Sequence, residues 1–167
     1  AFLLHPKRLA LSDRTATEAR EFNLRVGVVG LGIGAVSQWG LPGDSFRFYE
    51  INPEVAAVAY EYFTLLQDSK AEVEVVMGDG RISLERELRG QGSMKFDILA
   101  VDAFTGDAIP VHLLTREALA LYLDHLSEGG ILALQITNRH LDFMPVVFGL
   151  AMALDMPAVM VNGSERP

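Results

Sequence analysis

The stretch Arg25-Val26-Gly27-Val28-Val29-Gly30-Leu31-Gly32-Ile33-Gly34-Ala35 decides how the rest of the chain is read. A short β-branched run passes straight into three glycines at alternate positions, Gly30, Gly32 and Gly34. A run of that length bounded by glycine reads as a buried parallel strand. Glycines make a tight turn and let the backbone approach a ligand closely, because no Cβ intervenes. A short helix of about Gly34–Trp39 follows, and the unpaired N–H groups of a helix start point at whatever occupies the turn. Gly40-Leu41-Pro42-Gly43 stops it.

Downstream, the alternation continues. The second strand is Ser45–Tyr49, closed by Glu50. Asn52-Pro53-Glu54 then supplies an N-cap, a first-turn proline and a first-turn acid. The helix after them carries Val55, Ala56, Val58, Ala59, Tyr62, Phe63 and Leu66 at helical spacing. Glu72–Met77 is the third strand, followed by Gly78-Asp79-Gly80. A helix over Arg81–Arg89 sets Ile82, Leu84 and Leu88 on its apolar side, with Arg81, Glu85, Arg86, Glu87 and Arg89 as a solvated face. Phe96–Val101 is the fourth strand, closed by Asp102, and a long loop runs to Leu114. Thr115 caps a helix to about Leu126, stopped by Glu128-Gly129-Gly130. Ile131–Ile136 is the fifth strand, Asp142–Leu154 the last helix, and Ala158–Val161 a short sixth strand. Trp39, the phenylalanines, Tyr49 and Tyr60 read as packing residues. This β-α alternation predicts one α/β domain with a doubly wound, mostly parallel sheet. Residues 1–24 form a mixed N-terminal extension.

Composition narrows the function classes. Of 167 residues half are hydrophobic and 22% charged, so the chain carries a real core rather than disorder. No cysteine is present, which excludes a disulfide framework and a cysteine nucleophile. The four histidines share no helix face, so a metal site is not expected. A net charge of −8 argues against nucleic acid; it suits a cationic substrate, although an acidic surface more often serves solubility alone. No apolar run reaches the roughly 18 residues a membrane span needs; Pro145 and Gly149 interrupt the longest candidate, Phe143 to Leu154. The chain is expected to be cytoplasmic and to be part of something longer, with a soluble domain of a membrane-anchored protein as one form of that.

The carboxylates carry the chemistry. Glu50, Asp79 and Asp102 each close or follow an apolar strand, and ligands of open parallel sheets sit beyond the carboxyl ends of the strands. Gly30-x-Gly32-x-x-Ala35 fits the dinucleotide fingerprint, and Glu50 follows Gly32 by 18 residues, the spacing of an acid that accepts from ribose hydroxyls. The alternative is a strand-end acid capping the neighbouring helix, and the glycine loop favours the ribose role. Asp79 is either an acceptor for an adenine amino group or a turn aspartate. Asp102 opens the central loop and is the candidate to orient and deprotonate a cationic amine. His112 either touches substrate from that loop or packs within it.

Gly30-Leu31-Gly32-Ile33-Gly34, Tyr49-Glu50-Ile51-Asn52-Pro53, Gly78-Asp79-Gly80-Arg81, Val101-Asp102-Ala103-Phe104 and Ile109-Pro110-Val111-His112-Leu113-Leu114-Thr115 form an ordered series. Over about residues 24–140 this series resembles the spermidine synthase family of polyamine aminopropyltransferases. The resemblance implies the Rossmann-like class I methyltransferase fold, here without its last antiparallel strand. It implies decarboxylated S-adenosylmethionine, or S-adenosylmethionine, as donor, a small cationic amine as acceptor, and no metal. Glu50 would then hold the ribose, Asp79 and Gly80 the adenine, and Asp102 the attacking amine, with Asp107 and His112 beside the substrate. Three departures stand out. Ile33 replaces the aspartate that reads the donor's amine, Thr105 replaces a second aspartate after the fourth strand, and no N-terminal hairpin domain is visible in residues 1–24. An S-adenosylmethionine methyltransferase and a non-catalytic nucleoside-binding or interaction domain are the rival readings. An NAD-dependent dehydrogenase shares the glycines and Glu50 but leaves Asp79 and Asp102 without a role. A homodimer is left open.

Overall fold

The computed structural model describes residues 23–103, 109–138 and 140–161. Five strands form one sheet: β1 (Arg25–Val29), β2 (Ser45–Glu50), β3 (Glu72–Met77), β4 (Phe96–Val101) and β5 (Leu126–Leu134). Their order is β3-β2-β1-β4-β5, and every pairing is parallel. The glycine-bounded strand is thus the centre of the sheet: Val28 pairs with Phe48 on one side and Ala100 on the other. Among the described residues, four α-helices serve as crossovers and cover: α1 (Pro53–Glu61), α2 (Gly80–Gly90), α3 (Arg116–Asp124) and α4 (Met144–Ala153).

Both sheet faces are buried, which explains the near-continuous apolar strands. Val29, Leu99, Val101 and Tyr49 pack with Leu84 of α2 and Ala118, Leu119 and Tyr122 of α3. Val26, Val28, Phe46, Phe48 and Ile98 pack with Ala56 and Ala59 of α1 and with Leu66. Buried polar groups tie the opposite, amino-terminal ends of the strands. Asp97 accepts from the Arg25 backbone N–H and the Ser127 hydroxyl, joining β1, β4 and β5, and Asp44 accepts from the Leu24 and Leu41 N–H groups.

The local signals hold where caps were written. Asn52 accepts from Glu54 N–H, Asp79 from Ile82 N–H and Thr115 from Ala118 N–H. Five expectations need correction. The short helix after β1 is a 3₁₀ turn, Ala35–Trp39, and Trp39 is exposed rather than packed. Helix α1 stops at Glu61; Tyr62 and Phe63 face solvent, and Leu66 leaves the helical path to pack onto Gly34. Helix α3 stops at Asp124, because His125 turns fully inside. Its Nδ1 accepts from Met94 N–H and its Nε2 donates to Leu84 C=O, so it is a satisfied core histidine. Glu128-Gly129-Gly130 therefore lies within β5. Between Phe96↔Leu126 and Ile98↔Ile131 the β5 chain advances five residues against two on β4, a bulge in which Gly129 takes φ +73°. Finally, Ala158–Val161 forms no strand. Val159 and Val161 are 88% and 89% exposed and have no ladder partner. Among the described residues, no helix is long and apolar enough to cross a membrane.

Candidate functional site

The site is built at the carboxyl edge of β1–β4. Backbone bonds bring the strand ends level: Gly30 N–H donates to Tyr49 C=O, Gly78 N–H to Glu50 C=O, and Asp102 N–H to Val29 C=O. Gly30 has φ +102°, and a Cβ on it would lie 2.4 Å from the Asp102 carbonyl oxygen. Only glycine lets β1 and β4 close side by side there. Gly32 also has positive φ, yet its Cβ position meets no atom within 4 Å. That opening belongs to a cavity of about 800 Å³, inside the range of small-molecule sites.

Gly30, Gly32, Glu50, Asp79, Gly80, Asp102 and His112 all line this cavity. Gly34 does not. Its Cβ position is filled by Leu66, 2.2 Å away, so it serves packing. Asp107 lies outside the described residues.

Glu50 is buried, with 7% of its surface exposed. Its Oε2 accepts from Leu31 N–H at 3.0 Å and its Oε1 from Asn52 N–H at 2.8 Å. The carboxylate is thereby bolted between the glycine loop and the start of α1. Asp79 caps α2 through Oδ1, and its Oδ2 lies 2.9 Å from His112 Nε2. Gly80 begins α2 pressed against Val29. Asp102 stands exposed at the mouth. The cavity thus has one fixed acid at the end of β2, one capping acid after β3 and one accessible acid after β4. Among the described residues, no group of histidines and acids could hold a metal ion.

Known proteins share the fold and part of the sequence. The polyamine aminopropyltransferase of Vibrio vulnificus is 36% identical over 112 residues, 65% of this chain and 36% of that protein. In structure, the spermidine synthase of Thermotoga maritima superposes with a TM-score of 0.55 at 18% identity, over 89% of this chain and 43% of that one. The chain is spermidine synthase-like. Its fold is the Rossmann-like methyltransferase fold. Human methyltransferase-like protein 13, solved in complex with SAH, superposes with a TM-score of 0.67 at 21% identity, over 91% of this chain and 71% of that one. A second relative, the N-terminal histidine N-methyltransferase of Emericella nidulans, is 31% identical over 108 residues, 64% of this chain and 19% of that protein. The spermidine synthase-like chain therefore spans well under half the length of these curated relatives. No family model matches it.

Two parts of this site escape a sequence reading. First, the expected solvated face of α2 is solvated at Arg86 and Arg89 but not at Glu87. Glu87 is buried and accepts from Tyr49 Oη at 2.6 Å and from Arg47 Nη2 at 2.6 Å and Nε at 3.0 Å. Arg47 also pairs with Glu74. Burial works against the Arg47 charge, but the Glu87 hydrogen bond and charge outweigh it and hold the guanidinium pKa above its ordinary value. Burial, then the bond to Glu87, pushes the Tyr49 phenol well above its ordinary value. This network fixes Tyr49, which lines the cavity beside Glu50. Second, Arg81 reaches across to the loop after β4 and donates to His112 C=O at 2.8 Å and Thr115 Oγ1 at 3.3 Å. The only sequence signal was an arginine directly after a capping Asp-Gly.

Proposed function

We propose that this domain binds an adenosine-type sulfonium donor and transfers an aminopropyl group from decarboxylated S-adenosylmethionine to a small cationic amine. The observation that carries the reading is the single cavity under the glycine loop, walled by acids from three strands. Glu50 suits a ribose. A carboxylate offers about four lone-pair sites, and two are used by Leu31 and Asn52 N–H, leaving two in a fixed orientation for vicinal hydroxyls. Asp79 and Gly80 border the nucleobase end. Asp102, with Asp107 as a further substrate contact, faces the acceptor, whereas His112, expected beside the substrate, bonds Asp79 instead. An acidic cavity in a chain of net charge −8 attracts both the sulfonium and the amine.

The reaction asks little covalent chemistry of the protein. An ammonium group gives a proton to Asp102. The freed nitrogen lone pair attacks the propyl carbon next to sulfur. The C–S bond breaks, its electron pair stays on sulfur, and the neutral thioether methylthioadenosine leaves. Alignment of nitrogen, carbon and sulfur in line, and removal of one proton, are the protein's contributions.

A second reading, methyl transfer from S-adenosylmethionine, is favoured by Ile33. It stands, 39% exposed, where an acid would hold the donor's primary amine. The test is incubation with decarboxylated S-adenosylmethionine and a diamine, with mass-spectrometric detection of methylthioadenosine. Diamine-dependent release supports the proposal. Turnover of S-adenosylmethionine but not of its decarboxylated form moves the assignment to methyl transfer.

A further inference from the structure

Asp79 and His112 meet at the β3 side of the cavity. The Asp79 carboxylate is used twice, by Ile82 N–H at 2.9 Å and by His112 Nε2 at 2.9 Å. The His112 side chain is 50% exposed, so burial does not hold the ring. Its backbone is held. Arg81 donates to the His112 carbonyl, Leu113 and Leu114 are buried on either side of the turn's end, and Tyr122 Oη donates to Leu113 C=O at 3.3 Å. A fixed backbone with an unburied ring is a side chain that can change rotamer without moving its segment. The strand order puts β3 and β4 three spacings apart, roughly 14 Å. The pair therefore belongs to the end of the cavity away from Asp102.

We infer that His112 sets the affinity of the base subsite, by holding the Asp79 oxygen that the exocyclic amino group of a 6-aminopurine would use. The inference rests on the nucleoside reading of the cavity given above. A base that donates from position 6 can replace the imidazole N–H on that oxygen. A 6-oxopurine presents an acceptor there and cannot, so the subsite selects against it. His112 sets how strongly the subsite resists entry of the base.

The experiment is calorimetric titration of the whole chain with methylthioadenosine and with methylthioinosine. Wild type, His112→Ala and His112→Gln are compared. His112→Ala is expected to bind methylthioadenosine about two- to fivefold more tightly than wild type, the scale of a half-exposed polar pair. His112→Gln, which can still donate to Asp79, should bind as wild type does. Methylthioinosine should bind every form more weakly. Equal or weaker methylthioadenosine binding by His112→Ala overturns the inference while leaving the nucleoside site standing. Failure of all three forms to bind methylthioadenosine overturns the nucleoside reading itself, and this inference with it.

Discussion

Glu50, Asp102 and Gly30 show how single residues here serve fold and site together. Glu50→Ala removes the acceptor of two backbone N–H groups as well as the proposed ribose contact. Nucleoside affinity should fall by about 1.5–3 kcal/mol, the worth of hydrogen bonds to a charged group. Unchanged affinity in a calorimetric titration would remove Glu50 from the ribose role. Asp102→Asn keeps size and shape and removes the proton acceptor. Transfer should slow by about 10²–10⁴-fold with donor affinity retained, and a single-turnover assay beside a binding titration separates the two effects. Gly30→Ala must strain a positive-φ turn and push the Asp102 carbonyl aside. A loss of at least about 1–3 kcal/mol in stability is expected from denaturant unfolding.

Individual residues were legible in the sequence where the chemistry is local. The Asn52, Asp79 and Thr115 caps follow from residue type and position, and Glu50 follows from its place at a strand end. Glu87 was not legible. On α2 alone it shares a charged stretch with Glu85 and Arg86, and only the tertiary approach of β2 supplies Arg47 and Tyr49.

At the scale of elements, the Glu87 network fastens α2 to the sheet beneath the cavity. Glu87→Ala leaves a partly buried guanidinium and a buried phenol without their acceptor. About 3 kcal/mol of stability should be lost, the low end for breaking a buried pair, because Arg47 keeps some exposure and a bond to Glu74. A loss below about 0.5 kcal/mol in urea unfolding would show that the network contributes only orientation. The strands were legible because a fully buried parallel sheet demands uninterrupted apolar runs. The element ends were not. The end of α3 depends on His125 finding Met94 and Leu84, and the start of β5 depends on a bulge against β4; both are long-range facts. Ala158–Val161 has strand composition, yet a strand exists only through a neighbour that pairs with it.

The described residues form a sheet with both faces covered and with Glu50, Asp79 and Asp102 at its carboxyl edge. Alkali tests that packing. Burial raises the pKa of Tyr49 and Tyr122 above the ordinary 10.0 of a phenol. The folded state therefore holds these two protons more tightly than the unfolded one. The stability they support is intact below pH about 10 and declines as the pH rises above it. Ultraviolet titration of the four tyrosines should show two whose ionisation coincides with the loss of circular dichroism. Ionisation of all four in a still-folded chain would contradict the burial of those two.

Most direct for the central claim is isothermal titration of the chain with decarboxylated S-adenosylmethionine, S-adenosylmethionine, methylthioadenosine and NAD. The account predicts binding of the three sulfur nucleosides, with the decarboxylated donor or methylthioadenosine preferred over S-adenosylmethionine. Binding of NAD alone, or of none of the four, would contradict it.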